Sequence, residues 1–198
     1  MTLYLVHHGD MAGYMPSNFD APLSADGLVL AGELAELLSS LRVRSVYSAP
    51  SIRALQTAAP FLAQEKAKNI RIARAVAYNL YPMAMLPSQR PRWLEADELA
   101  ENGFAIHMID GTPPPPQADD EFVRRVTEFY DNIVFERLWS SPVPTALFVD
   151  GQVLAVLAEH IDKGRTPGLR EVVANAGPGS VLEFAPKGFR PEYTRQIR

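Results

Sequence analysis

Short apolar runs alternate with segments of helical period along most of this chain. The runs that predict β-strands are residues 2–6, 44–48, 70–76, 145–150 and 180–184. Between them, apolar residues recur every three or four positions, which is typical of helices that bury one face. Strands that alternate with helices predict an α/β fold, in which helices cross over between the strands of a parallel sheet.

Three helical faces are especially clear. The first follows Ser24, a residue type that caps helices, and its predicted core face is Leu28, Ala31, Leu34, Ala35, Leu38 and Leu41. The second follows Pro50 with Ser51 as the expected cap, and its face is Ile52, Leu55, Ala58, Ala59 and Leu62. The third begins near Asp119 and presents Phe122, Val126, Phe129, Tyr130, Ile133 and Leu138. A further helix is expected through Val153, Leu154, Leu157 and Ile161.

Residues 78–118 break this regularity with many prolines, including the run Pro113–Pro116. Only a weak helical pattern from Glu95 to Glu101 stands out. We expect loops and one short helix here, an irregular insertion that covers the site at one end of the sheet. Neither flank is self-sufficient, so residues 1–198 are predicted to form a single domain.

Composition excludes several function classes. The chain has 198 residues, a formal charge of −4 and no cysteine, so disulfides and thiolate chemistry are ruled out. The mild acidity gives no reason to expect nucleic acid or a membrane surface as a partner. No apolar run approaches the roughly 18 residues of a membrane span. Without a signal-like leader, a cytoplasmic location is expected.

Two predicted strands end in polar residues followed by glycine. The first runs into His7, His8 and Gly9, and the run 145–150 ends at Asp150 before Gly151. Ligands of parallel sheets bind beyond the carboxyl ends of the strands. These two strand ends are therefore the candidate site.

Five segments together resemble the histidine phosphatase superfamily, which includes the cofactor-dependent phosphoglycerate mutases. They are "LYLVHHGD" (3–10), "APLSADGLVLAGELAELL" (21–38), "VYSAPSIRALQTA" (46–58), "TALFVDGQVLAVL" (145–157) and "NAGPGSVLEF" (175–184). The resemblance implies a phosphoglycerate mutase-like three-layer sandwich with a mostly parallel central sheet flanked by helices. It also implies phosphoryl transfer through a phosphohistidine, a small phosphorylated substrate or anion as partner, and no cofactor.

Carried over by position, the resemblance implies a role for each of several residues. His8 matches the nucleophile and Gly9 the turn after it, while Arg53 matches an arginine that holds phosphate. Asn18, or Ser17 beside it, matches a polar loop that contacts the substrate phosphate.

The chain departs from the family pattern at two positions of this pocket. His7 stands where the family has its first arginine, and Asp150 stands where its second histidine is expected. No carboxylate follows the third predicted strand to act as proton donor, and the later Gly-Glu-Ser segment is missing. Histidine is a weaker phosphate clamp than arginine, and a carboxylate about 4 Å from phosphate repels it by ~4 kcal/mol per charge pair at an effective dielectric of 20.

Three functions stay open at this point. The first is a divergent phosphatase that forms phospho-His8, with a protonated Asp150 as proton donor and His7, Arg53 and Asn18 holding phosphate. The second is a pseudoenzyme that binds a phosphorylated metabolite or a protein partner. The third is metal-assisted chemistry through His7, His8, Asp10 and Asp150, although we expect no metal because adjacent strand residues point to opposite faces. His107 and His160 are expected to have no catalytic role.

Overall fold

The computed structural model describes residues 2–12, 21–64, 69–77, 105–108, 119–136, 140, 143–187 and 190–198. Its strands are β1 (Leu3–His7), β2 (Ser45–Ser48), β3 (Asn69–Ile72), β4 (Ala105–Met108), β5 (Thr145–Val149), β6 (Val181–Lys187) and β7 (Arg190–Gln196). Its helices are α1 (Ala25–Ser40), α2 (Ile52–Gln64), α3 (Asp119–Phe129), α4 (Gly151–Asp162) and α5 (Leu169–Ala174). A 3₁₀ turn at Arg74–Val76 follows β3, and a π-helical stretch, Tyr130–Phe135, continues α3.

The described strands form one sheet in the order β4-β3-β2-β5-β1-β6-β7. Neighbouring strands from β4 to β1 are parallel, whereas β6 runs antiparallel to both β1 and β7. The predicted α/β fold, a mostly parallel central sheet flanked by helices, is therefore confirmed. Within the described ranges, no helix is long and apolar enough to cross a membrane.

The two central strands β1 and β5 form the middle of the core. Every residue of β5 is buried, and the β1 residues Leu3 to Val6 are at most 5% exposed. Strands covered on both faces need continuous apolar runs, which is the pattern that the sequence shows there. Burial of a large side chain such as Phe148 or Leu5 contributes about 1.5–3 kcal/mol of stability. The packing of β1 and β5 therefore fixes the positions of their carboxyl ends, where the candidate site lies.

Helix α1 begins where the sequence predicts, because the Ser24 hydroxyl accepts a hydrogen bond from the Gly27 amide at 2.9 Å. Its buried residues are Gly27, Ala31, Leu34, Ala35 and Leu38. The expectation that Leu28 belongs to the core is wrong, since 51% of it is exposed. The buried stripe contains Gly27 and Ala35, and Leu28 lies just outside its edge, about 100° around the helix from Gly27.

Several other expectations need correction. The strand predicted over residues 70–76 ends at Ile72 and is followed by the 3₁₀ turn. The insertion at 78–118 is not wholly irregular, because residues 105–108 form the edge strand β4; its remaining residues, including the weak helical pattern at 95–101, lie outside the described residues. The last predicted strand continues to Lys187, and neither β7 nor α5 was anticipated. Elements at the edge of the fold, such as β4, β7 and α5, do not need the regular spacing of apolar residues that buried strands and helices need.

Two glycines of α1 give a matched test of this packing. A Cβ at Gly27 would lie 2.2 Å from the Asp10 carbonyl oxygen, whereas a Cβ at Gly32 would meet nothing within 4 Å. We expect Gly27→Ala to destabilise the protein by about 1–3 kcal/mol through overpacking against backbone. Gly32→Ala should instead stabilise it by about 0.5–1 kcal/mol, because alanine favours the helix. Urea unfolding of both variants measures the difference, and equal effects would contradict the close approach.

Candidate active site

Strand register brings the polar strand ends together. His7 of β1 lies beside Val149 of β5, so the next residues, His8 and Asp150, become neighbours beyond the sheet. Strand β2 ends on the other side of β5 and leads into α2, whose first turn carries Arg53. The three side chains are 5%, 4% and 6% exposed respectively, so they form a buried cluster.

Both ring nitrogens of His8 face oxygen acceptors. Nδ1 lies 2.7 Å from the carbonyl oxygen of Gly9, and Nε2 lies 3.2 Å from Oδ1 of Asp150. A neutral imidazole donates from only one nitrogen, so both contacts are hydrogen bonds only when the ring carries two protons. The fold thus places an oxygen acceptor at each ring nitrogen of His8, the Gly9 carbonyl at Nδ1 and the Asp150 carboxylate at Nε2.

The Asp150 carboxylate is held by two further donors. Nε of Arg53 donates to Oδ1 at 2.5 Å, and the hydroxyl of Ser51 donates to Oδ2 at 3.3 Å. Burial alone raises the pKa of Asp150, but the hydrogen bond from His8 and the charge of Arg53 outweigh it and hold that pKa well below its usual value. The Asp150 carboxylate is therefore ionised in the ligand-free site, and its protonation beside a bound phosphate stays a prediction.

Contacts behind the cluster fix the positions of His8 and Arg53. The Thr57 hydroxyl, one turn along α2, donates to the Arg53 carbonyl oxygen at 2.7 Å and accepts from the Gly9 amide at 2.9 Å. On the solvent side, Nη1 of Arg53 donates to the sulfur of Met11 at 3.1 Å. The guanidinium is thus oriented between a carboxylate and a thioether.

His7 does not join this cluster. Its Nδ1 donates to the carbonyl oxygens of Ala176 and Gly177, at 3.1 and 3.0 Å, in the loop before β6. Its ring meets the His8 ring edge-on, with centroids 4.7 Å apart. Burial and then the charge of His8 lower the pKa of His7, so the ring is neutral near pH 7 and does not replace an always-charged arginine.

The remaining predicted site residues are also placed by the structure. Asn18 lies outside the described residues. Among the residues that are described, no three histidine or acidic side chains are arranged to hold a metal ion. The Asp10 carboxylate instead accepts from the Ser24 hydroxyl at 3.3 Å, at the start of α1.

The two other histidines lie away from the cluster. His160 of α4 pairs with Asp131 at 3.0 Å, and His107 lies in the edge strand β4. Their predicted lack of a catalytic role stays a prediction.

Sequence reasoning missed three residues of the site: Ser51, Thr57 and Met11. Ser51 was expected to cap α2, whereas its hydroxyl donates to Asp150. Thr57 belongs to the motif that carries the resemblance, and its position one turn after Arg53 was the available signal. Met11 gave no signal, since a single thioether in a loop has no pattern.

The cluster has a clear electrostatic consequence. The Asp150 carboxylate lies between Nε of Arg53 and Nε2 of His8. A fixed cation such as the Arg53 guanidinium stabilises phosphoryl groups, so an internal carboxylate beside it competes with any incoming anion.

Asp150→Asn tests the energetic role of this carboxylate. Removal of one partner from a buried ion pair typically costs about 3–5 kcal/mol, and we expect a loss of that order at neutral pH. Because the folded-state pKa of Asp150 is lowered, its stabilisation is present above the unfolded value near 3.9 and is lost as pH falls below it. Urea unfolding at pH 7 and pH 3 should show this pH-dependent component in wild type and its loss in the variant.

A solvent-exposed pair supplies the control for that experiment. Glu33 pairs with Arg198 at 2.5 Å, and its side chain is 52% exposed. Glu33→Gln should change stability by less than about 1 kcal/mol at either pH. Equal effects of the two substitutions would contradict a dominant buried cluster.

Comparison with solved structures shows the same fold in several phosphatases. Ecdysone phosphate phosphatase from Bombix mori, in complex with tungstate, matches with a TM-score of 0.72 and 14% identity over 98% of this chain and 92% of that one. Phosphoserine phosphatase from Entamoeba histolytica, in complex with 3-phosphoglyceric acid, matches with 0.65 and 14% over 98% and 95%. Mycobacterial glucosyl-3-phosphoglycerate phosphatase with VO3 matches with 0.64 and 16% over 98% and 96%. At these identities the likeness concerns the fold alone.

Membership of a family rests on the sequence itself. No curated protein matches the chain significantly. The sequence model of the histidine phosphatase superfamily, branch 1, matches residues 3–195. The five motifs, the strand order and this match over nearly the whole length agree: the chain belongs to the histidine phosphatase superfamily.

Proposed function

We propose that this chain is a histidine phosphatase-superfamily protein without hydrolytic turnover, a pseudoenzyme that keeps the fold for binding. The observation that supports this is the Asp150 carboxylate, which contacts Nε2 of His8 at 3.2 Å and Nε of Arg53 at 2.5 Å. The carboxylate thus contacts the same side chains that would have to bind a phosphate monoester.

The charges make turnover unfavourable in two ways. A phosphate oxygen that enters about 4 Å from the ionised Asp150 is repelled by ~4 kcal/mol per charge pair at an effective dielectric of 20. In addition, loss of one fixed donor typically costs about 2.7–4 kcal/mol of barrier, and neutral His7 supplies no arginine-like fork.

A slow phosphatase that forms phospho-His8 is the second candidate. The contact of His8 Nδ1 with the Gly9 carbonyl oxygen favours it, since this contact holds the ring with Nε2 on the side of the Asp150–Arg53 pair. In this candidate Asp150 moves aside or takes a proton, and Asn18 contributes to phosphate binding.

Hydrolysis of p-nitrophenyl phosphate separates the two candidates. We expect wild type to match His8→Ala, with no turnover above a mock purification. The double variant His7→Arg with Asp150→His restores the cationic pocket. Its rate of hydrolysis should be about 100-fold above the background of the mock purification, which corresponds to one recovered donor. Wild-type turnover that disappears in His8→Ala would overturn the proposal in favour of the slow phosphatase.

Tungstate binding tests the competing carboxylate without any need for turnover. Asp150→Ala removes the carboxylate that competes for Arg53 and His8, so we expect the variant to bind tungstate at least about tenfold more tightly than wild type, measured by calorimetry. Asp131→Ala is the matched control, because it removes a carboxylate that contacts a different histidine, His160. Equal affinity in wild type and Asp150→Ala would show that the carboxylate does not compete with oxyanions.

A further inference from the structure

A groove of about 780 Å³ lies between α4 and α5. The described residues that line it do not include Arg53, His8 or Asp150, so it is separate from the cluster described above. Sites for small molecules commonly have volumes of about 300–1,000 Å³ and mainly apolar walls. Residues of α4 line the groove from Gly151 to Asp162, which corresponds to about 16 Å of helix at 1.5 Å per residue. The groove is therefore long enough for an extended organic molecule.

The acidic residues of this groove gather toward one end of it. Because a short loop, residues 163–168, joins α4 to α5, the end of α4 and the start of α5 lie close together. All the acidic lining residues belong to this end: Glu159, Asp162 and Glu171. Away from the loop the described lining is mainly small and apolar, with Ala155, Val173, Ala174 and Ala176. The groove thus matches a ligand with one charged end and one apolar end.

Two of these carboxylates have no cationic partner among the described residues. Asp162 is completely buried, and its oxygens accept from the amide and the hydroxyl of Thr166, at 2.8 and 2.7 Å, which are both uncharged donors. Arg170, the cation among the described lining residues, already pairs with Glu159. Glu171 forms no ion pair within the described part of the chain. Three carboxylates against one guanidinium give the lining a net charge of −2, which attracts cations and repels anions.

We propose that this groove binds a small organic cation, a primary ammonium group that carries an apolar chain. The ammonium group donates to the Glu171 carboxylate at the acidic end, and the chain lies along Ala155 and Val173. A buried charge without a counter-ion is unfavourable, so a cation near Asp162 also offsets the charge of that carboxylate. The inference goes beyond the proposed function, because it concerns other side chains and a ligand of the opposite charge.

Octylammonium chloride is the probe, with octanol as its neutral analogue and octanoate as its anionic analogue. Binding of each to the folded full-length protein is measured by titration calorimetry at pH 7 and low salt. We expect octylammonium to bind at least about tenfold more tightly than octanol, because only the cation is attracted by the carboxylates, and octanoate to bind most weakly. Addition of about 0.5 M NaCl should reduce the preference for the ammonium group, because salt screens partly exposed charges.

Glu171→Gln is the decisive variant, because Glu171 is exposed and its replacement removes a charge without a change of shape. We expect this variant to bind octylammonium about fivefold more weakly than wild type. Glu36→Gln is the matched control, since it removes an exposed glutamate of α1 that does not line the groove, and its affinity should equal that of wild type. Ala155→Leu places a larger side chain in the apolar part and should weaken both octylammonium and octanol.

The position of the bound probe is checked by NMR, where the amide signals of α4 and α5 should shift most. Equal affinity for octylammonium and octanol would overturn the inference, and so would tighter binding of octanoate, which would make Arg170 the anchor of an anion site. Absence of saturable binding, or shifts confined to other elements, would overturn it as well. Tungstate binding, which reports on the pocket of Asp150, tests the proposed function separately.

Discussion

The contact of the Asp150 carboxylate with Arg53 and His8 governs this end of the molecule. All three residues are almost completely buried, and an unpaired charge at such depth is strongly unfavourable. Asp150 is the counter-ion of the Arg53 guanidinium and contacts Nε2 of His8, and Ser51 donates to its other oxygen. The fold thus supplies the pocket with an anion of its own. Stability of the ligand-free protein and affinity for external oxyanions are consequently in opposition.

The sheet makes this contact unavoidable. Strands β1 and β5 are parallel neighbours with His7 beside Val149, so the residues that follow must meet. Helix α2 begins after β2, on the other side of β5, and its first turn points Arg53 at the same place. Any residue at position 150 therefore faces Arg53 and His8. A change of that one side chain changes the charge of the whole pocket.

The sequence predicts the parts of this protein that have strong periodicity or a motif. It predicts β1, β5, α1 and α4, because buried strands need continuous apolar runs and amphipathic helices need a repeated face. It brings His8, Arg53 and Asp150 to one pocket through the family motif. It does not predict the edge strands β4 and β7, because an edge strand is held by hydrogen bonds to a single neighbouring strand that no local pattern specifies.

Protonation states lie beyond the sequence for a related reason. His7 and His8 are the same residue type, so the sequence does not distinguish them. Burial alone would raise the pKa of Asp150, but its neighbours lower it. The outcome depends on which oxygen each nitrogen meets: His7 Nδ1 meets two carbonyl groups, whereas His8 Nε2 meets a carboxylate. A carboxylate favours the charged form of a group beside it, whereas neutral carbonyls only fix the tautomer of an imidazole. The two histidines thus meet different partners, because the parallel pairing of β1 with β5 directs only His8 toward Asp150.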